Sequence, residues 1–248
     1  MTAGGDLEQP DPSDVAWFRA RRAVVLGRIA AAARRAGRDP AAVRLVAVSK
    51  TVPAERLRAA VASGLTVLGE NRVQEGESKR PLVPGATWEL IGPLQSNKAR
   101  RAVELFDVIE SVDSLELARR LDRLAAETCR SPLGVFLQVN VDLDEAKSGF
   151  TPDALETALP ELAALTGLRL HGLMTVGRLV GTPEEARSTF AGLRDLSSLL
   201  RSRFAALGGG LSMGMTNDYE VAVEEGATVI RVGRALFGAR GGDQGGRP

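Results

Sequence analysis

Residues 44–53 read Arg-Leu-Val-Ala-Val-Ser-Lys-Thr-Val-Pro. Leu45 to Val48 form a short aliphatic run, the pattern of a strand buried on both faces. The run ends on an amine, Lys50. "PAERLRAAVASG" (residues 53–64) follows, with apolar residues at helical spacing, a proline at its start and a glycine at its end. A buried strand leading straight into an amphipathic helix is the repeating half of a parallel α/β fold.

The alternation continues along the chain. Eight short apolar runs are present: Arg44–Ser49, Leu65–Gly69, Trp88–Gly92, Val108–Ser111, Val135–Val141, Leu168–Thr175, Leu211–Met215 and Thr228–Val232. Helical patterns such as "SLELARRLDRLAAETCR" and "TPDALETALPELAALTG" fill the gaps. The weakest gap, "NRVQEGESKRPLV", has room for one helix. Eight strand–helix alternations predict a (β/α)8 barrel. A doubly wound open sheet is the alternative, and the lack of Gly-x-Gly-x-x-Gly after the first run favours the barrel. Residues 14–39 add a helix before the first strand. The expected organisation is one domain over 14–240, a disordered polar tail over 1–13 and a flexible tail over 241–248.

Composition narrows the function. The chain has 248 residues, 44% of them hydrophobic and 25% charged, enough for a sizeable core. Its 32 basic and 31 acidic residues give a net charge of +1, which offers nothing to a nucleic acid or a membrane surface. A single cysteine, Cys129, fits a reducing cytoplasm, and one histidine with one cysteine cannot build a zinc site of the usual kind. The start has neither a basic n-region nor an apolar h-region, so no secretory signal is expected. Only Lys50, Lys79, Lys98 and Lys147 supply primary amines among 32 basic residues. In so arginine-rich a chain, a lysine at a strand end draws notice as an amine, because a guanidinium cannot do amine chemistry.

In a barrel, chemistry sits at the C-terminal ends of the strands. Those ends carry Lys50, Glu70-Asn71, "GPLQSN" (92–97), Asn140, "SMGMT" (212–216) and Arg231 to Arg234. Glu70 is the one carboxylate expected near the tips, which argues against a two-carboxylate glycosidase. Lys50 has two readings: a snorkelling rim lysine, or a partly desolvated amine that condenses with an aldehyde, for which pyridoxal phosphate is the usual cofactor. That cofactor needs a phosphate site on the same rim. Gly214 and Gly233 permit close backbone approach, Ser212 and Thr216 offer hydroxyls, and Arg234 offers a charged fork. Each glycine also reads simply as a turn. Arg231 reads either as half of an ion pair, with Glu70 or a rim carboxylate, or as a donor to a pyridine nitrogen.

The stretches "LVAVSKTVP", "LGENRVQE", "WELIGPLQSNKAR", "VNVDLDEAKSGF", "GLMTV" and "LSMGMTNDYEVAVEEGATVIRVGRALFG" occur in this order between Arg44 and Arg240. In them the chain resembles the pyridoxal phosphate homeostasis proteins, the YggS-like or PROSC-like family. The resemblance implies a single fold-type III barrel like the N-terminal domain of alanine racemase. It implies pyridoxal 5'-phosphate held as a Schiff base on Lys50, with phosphate around Ser212, Gly233 and Arg234. It also implies Arg231 near the pyridine nitrogen and Asn71 beside the ring. Three positions depart from the family pattern: Glu89 where His is frequent, His171 where Arg is usual, and Arg234 in place of Thr or Ser.

The resemblance implies a carrier or buffer of the cofactor with no established turnover; a cytoplasmic monomer is expected, with PLP-dependent apo-enzymes as candidate recipients and no nucleic-acid or membrane partner. The alternative is a PLP-dependent amino-acid racemase. That reaction needs a second base opposite Lys50, which alanine racemase takes from a tyrosine of a second domain; here the chain stops just after the barrel, and its only tyrosine, Tyr219, follows the seventh strand. Lys98 and Lys147 read as surface lysines, with transient cofactor binding as the other option.

Overall fold

The computed structural model describes residues 9–177 and 181–238. Eight parallel strands close into one barrel in sequence order: β1 (Arg44–Val48), β2 (Val67–Glu70), β3 (Thr87–Leu90), β4 (Val108–Val112), β5 (Leu133–Gln138), β6 (Leu168–Met174), β7 (Gly210–Ser212) and β8 (Val229–Val232). Every apolar run of the sequence overlaps one of them, with boundaries shifted by one or two residues in several. The (β/α)8 barrel is therefore the fold, and the open-sheet alternative falls, because β1 pairs with both β2 and β8.

Nine α-helices are described: α1 (Pro12–Arg35), α2 (Ala54–Ala62), α3 (Val73–Lys79), α4 (Ala99–Leu105), α5 (Leu115–Glu127), α6 (Pro152–Ala164), α7 (Arg187–Arg203), α8 (Tyr219–Glu224) and α9 (Arg234–Phe237). Local chemistry sets several starts. Asp11 caps α1 by accepting from the Ser13 amide at 2.8 Å, with proline in the first turn. Ser114 and Thr151 cap α5 and α6 in the same way. Pro12 and Ser13 thus belong to α1, not to the expected tail of residues 1–13. Residues 1–8 and the C-terminal segment 241–248 lie outside the described residues. Among those described, no helix is long and apolar enough to cross a membrane.

The main core lies between the barrel wall and the helix ring, with Trp88, Phe106, Leu121, Leu155 and Phe190 fully buried. A smaller cluster of Val46, Phe136, Met174 and Val229 is buried apart from it. Helix α1 packs against α2, α8 and α9. It holds α9 in place: Phe18 meets Phe237 edge-on at 5.5 Å between ring centroids, and Arg21 Nη1 donates to the Ala235 carbonyl at 3.0 Å. The start of α9 is the edge of the barrel mouth, so this packing matters for the site.

Strands β6 and β7 meet backbone to backbone at two glycines. A Cβ on Gly172, whose φ is +150°, would lie 1.9 Å from the Gly210 carbonyl oxygen. No side chain fits there without parting the strands. The variant Gly172→Ala is expected to lose about 3 kcal/mol or more of unfolding free energy, measured by urea denaturation followed by circular dichroism.

Candidate functional site

Lys50 stands two residues beyond the end of β1. Ser49 fixes that end, since its amide donates to the Gly69 carbonyl at 2.9 Å and its hydroxyl to Glu70 Oε1 at 2.7 Å. The Lys50 side chain is half-buried, and no described residue bonds or pairs with its amine. The other lysines differ. Lys79 Nζ is buried and paired with Glu70 at 2.8 Å and Glu75 at 3.1 Å. Lys147 Nζ lies 3.4 Å from Asp142 and donates to the Val176 carbonyl at 3.2 Å. Lys98 ends a short 3-10 turn, Ser96–Lys98, before α4.

Lys50 opens into a cleft of about 350 Å³ whose walls include Val48, Thr51, Arg56, Gly233, Arg234 and Phe237. The amine, Gly233 and Arg234 thus share one cavity, because β8 is hydrogen-bonded to β1. The loop after β7 bonds to Gly233 and Arg234 of its wall. Gly214 adopts φ +90° there, where a Cβ would fall 2.5 Å from Ala222 Cβ, and its carbonyl accepts from the Arg231 amide at 3.0 Å. From the same loop, Thr216 Oγ1 accepts from the Gly233 amide at 3.4 Å and Asn217 Oδ1 from Arg234 Nη2 at 3.2 Å. The first amides of α9 have no acceptor within the helix. An arginine fork and glycine backbone facing a primary amine form a donor set suited to an anionic aldehyde.

Three expected residues lie elsewhere. Asn71 is half-buried beyond β2, with its carbonyl so near β3 that a Cβ on Gly92 would be 2.3 Å away. The Ser212 hydroxyl does not face the rim: it donates inward to Glu110 Oε2 at 2.7 Å. Strand alternation explains this, since Leu211 and Met213 are on the opposite face. Arg231 is 3% exposed and paired, but with Glu110 at 3.4 Å, not with Glu70 or a rim carboxylate. It also donates to the Ser212 hydroxyl and, at 2.7 Å, to the Thr175 carbonyl. That last bond takes the guanidinium to the mouth end of β6.

Below the mouth lie two carboxylates that the sequence reading did not use as a pair. Glu89 and Glu110, both fully buried, sit on neighbouring strands. Arg44 bonds Glu89 Oε1 from the base of the barrel, while Arg231 and Ser212 take Glu110 Oε2. Glu89 Oε2 and Glu110 Oε1 have no donor among the described residues. A buried carboxylate oxygen without a donor, beside a second carboxylate, favours the protonated form of Glu89. Burial first, and the Glu110 charge second, push the Glu89 carboxyl up to about 8, outweighing the pull of Arg44. The signal for this pair was an acidic residue inside each of two apolar runs, "WELIG" and "VIESV". His171 is half-buried over Phe136, 5.7 Å between ring centroids, with its pKa lowered by burial and then by Arg44 and Arg169.

A carboxyl raised by folding stabilises the protein fully below its unfolded value near 4.5 and loses that contribution as pH rises through about 8. Unfolding free energy is therefore expected to fall between about pH 5 and about pH 9, and Glu89→Gln, which keeps a neutral donor, is expected to flatten that slope, measured by denaturant titration across the range.

Comparison with known proteins places the chain in a family. The sequence-family model described as "Alanine racemase, N-terminal domain" matches residues 25–241. The pyridoxal phosphate homeostasis protein of Pseudomonas aeruginosa is 44% identical over 220 residues, 88% of this chain and 94% of that protein. Its Escherichia coli K12 counterpart is 41% identical over 231 residues, with 88% and 94% covered. PipY of Synechococcus elongatus PCC7942, solved with PLP bound, superposes with a TM-score of 0.78 at 44% identity, covering 89% of this chain and 100% of that one. The alanine racemase of Clostridium difficile 630 has a TM-score of 0.70 at 15% identity over 92% of this chain and 58% of its own, a likeness of fold alone. Identity above 40% along nearly the whole of both chains is more than a shared architecture: the chain belongs to the alanine racemase N-terminal-domain family, among its pyridoxal phosphate homeostasis proteins.

Proposed function

We propose that the chain binds pyridoxal 5'-phosphate at the barrel mouth, with Lys50 as the covalent attachment point and Gly233 and Arg234 at the phosphate, and that it serves cofactor homeostasis without turnover. The observation that carries this reading is the unpaired Lys50 amine in one cleft with Gly233 and Arg234. The cofactor supplies an aldehyde, which condenses reversibly with a primary amine and releases water, and a phosphate monoester.

The chain's own residues meet each need. Lys50 presents a nitrogen that no carboxylate of the described residues pairs with. Arg234, exposed at the start of α9, brings a planar donor fork to an anion. The loop from Ser212 to Thr216 stands beside the start of α9, and Asn71 stands on the β2 side of the mouth. Arg231 has only N–H donors and remains a cation beside Glu110, so as the partner of a ring nitrogen it would disfavour protonation there and weaken an electron sink. That suits holding the cofactor better than carbanion chemistry.

The racemase alternative needs a second base at the mouth. Tyr219 is 3% exposed on α8, with its hydroxyl pKa raised by burial first, and Arg28 of α1 is its charged neighbour. It sits on the outer side of the barrel, between helices. The curated relatives are named for homeostasis, not for a reaction. Within this reading the protein is a cytoplasmic monomer that exchanges cofactor with PLP-dependent apo-enzymes.

Mixing the purified protein with pyridoxal phosphate is expected to produce a visible absorption band and, after borohydride reduction, a stable adduct mapped to Lys50. Lys50→Ala is expected to lose both; an equal band in that variant, or an adduct confined to Lys98 or Lys147, would overturn the assignment. Arg234→Ala is expected to weaken pyridoxal phosphate binding about tenfold while leaving pyridoxal, which has no phosphate, unaffected in equilibrium dialysis.

A further inference from the structure

The residue after Lys50 is in an unusual conformation. Thr51 has φ +64°, a left-handed backbone that a β-branched side chain adopts only when its surroundings impose it. The imposing groups come from β2 and α3. The Thr51 amide donates to Glu75 Oε2 at 2.9 Å. The same oxygen accepts from Lys79 Nζ at 3.1 Å, and Lys79 Nζ donates in turn to the Ser49 carbonyl at 3.0 Å and to Glu70 Oε1 at 2.8 Å. Glu70 Oε1 also takes the Ser49 hydroxyl. The peptide groups on both sides of Lys50 are therefore tied to one cluster of two carboxylates and one ammonium, while Lys50 itself is left out of it.

This cluster is costly to bury, and the barrel does not need it for closure. Lys79 is only 9% exposed and Glu70 is fully buried. Burial raises the Glu70 carboxyl above the ordinary range, with Lys79 opposing. For Glu75 burial also acts against ionisation, yet the Thr51 amide and Lys79 outweigh it and hold its pKa below the ordinary value. A charged, ordered clamp on a strained turn is a device for aiming what the turn carries.

We propose that Glu75, acting with Lys79, is a positioning residue for Lys50: it holds Thr51 in its left-handed turn and so delivers the Lys50 amine into the cleft opposite Gly233 and Arg234. The inference rests on the proposed attachment of cofactor at Lys50. Without the clamp Thr51 relaxes toward an ordinary conformation, the peptide between residues 50 and 51 rotates, and the amine leaves the line of the cleft. Small misplacements of a reacting group carry large penalties.

The test compares wild type, Glu75→Ala, Glu75→Gln and Glu75→Ala in a Thr51→Gly background. The readouts are pyridoxal phosphate and pyridoxal affinity, the rate of borohydride-trapped labelling at Lys50, and the melting temperature of the cofactor-free protein. Glu75→Ala is expected to weaken both ligands by about ten- to a hundredfold, since a charge-assisted bond is lost and the effect reaches the amine and not the phosphate. Glu75→Gln, which keeps an acceptor for the Thr51 amide, is expected to stay within about threefold of wild type. In the Thr51→Gly background the penalty of Glu75→Ala is expected to shrink to about threefold or less, because glycine adopts the left-handed turn unaided. A lower melting temperature in Glu75→Ala with unchanged affinity and labelling rate overturns the clamp and leaves the proposed function intact. A wild-type protein that takes no cofactor at Lys50 overturns both.

Discussion

The first and last strands lie side by side. Arg44, Leu45, Val46 and Ala47 of β1 are in register with Val229, Ile230, Arg231 and Val232 of β8, and this short ladder closes the barrel. It also sets where the chemistry is, because the turns that leave these two strands carry Lys50 on one side and Gly233-Arg234 on the other. Lys50 and the proposed anion cradle, far apart in sequence, become neighbours through this backbone hydrogen bonding. Helix α1 lies over α2, α8 and α9 on this side of the barrel and keeps α9 seated through Phe18 and Arg21.

The mouth is supported by charges below it. From base to rim the interior runs Arg44, Glu89, Glu110, Ser212, Arg231 and the Thr175 carbonyl, and the described bonds link every neighbour in that series except the two carboxylates. Burying such groups costs more than packing hydrocarbon of the same volume, so they are poor agents of stability in themselves. What they supply is orientation. Arg231 is held by three acceptors of fixed position, and its partner Glu110 cannot release it without leaving an uncompensated charge. A second cluster, Glu70 with Glu75 and Lys79, does the same for the turn that bears Lys50. Among the described residues the cleft amine has no partner, while Glu70, Glu75 and Lys79 beside its turn are bonded to one another.

The architecture was readable because each strand is a compact apolar run and each helix a 3.6-residue pattern, as in "RLVAVSK" followed by "PAERLRAAVASG". That Lys50, Gly233 and Arg234 line one cleft was readable for the same reason: a residue at a strand end is placed by the fold itself. The inward direction of the Ser212 hydroxyl was not legible because it depends on strand parity, and the short β7, Gly210–Ser212, gives little alternation from which to judge it. Glu89 and Glu110 look like isolated interruptions in separate runs; only the lateral pairing of β3 with β4 makes them partners. The Thr51 turn was hidden because nothing in "SKTVP" signals a left-handed threonine, a position where glycine or asparagine is the ordinary choice.

The closing ladder has a consequence for synthesis. A ribosome delivers Lys50 early and β8 near the end, so for most of translation the amine has no opposite wall. Until Val229–Val232 emerges and docks on β1, the half-built sheet has two open edges and the nascent lysine is an ordinary exposed amine with nothing to hold an anionic tail beside it. In the proposed function, cofactor capture is thereby reserved for the finished chain.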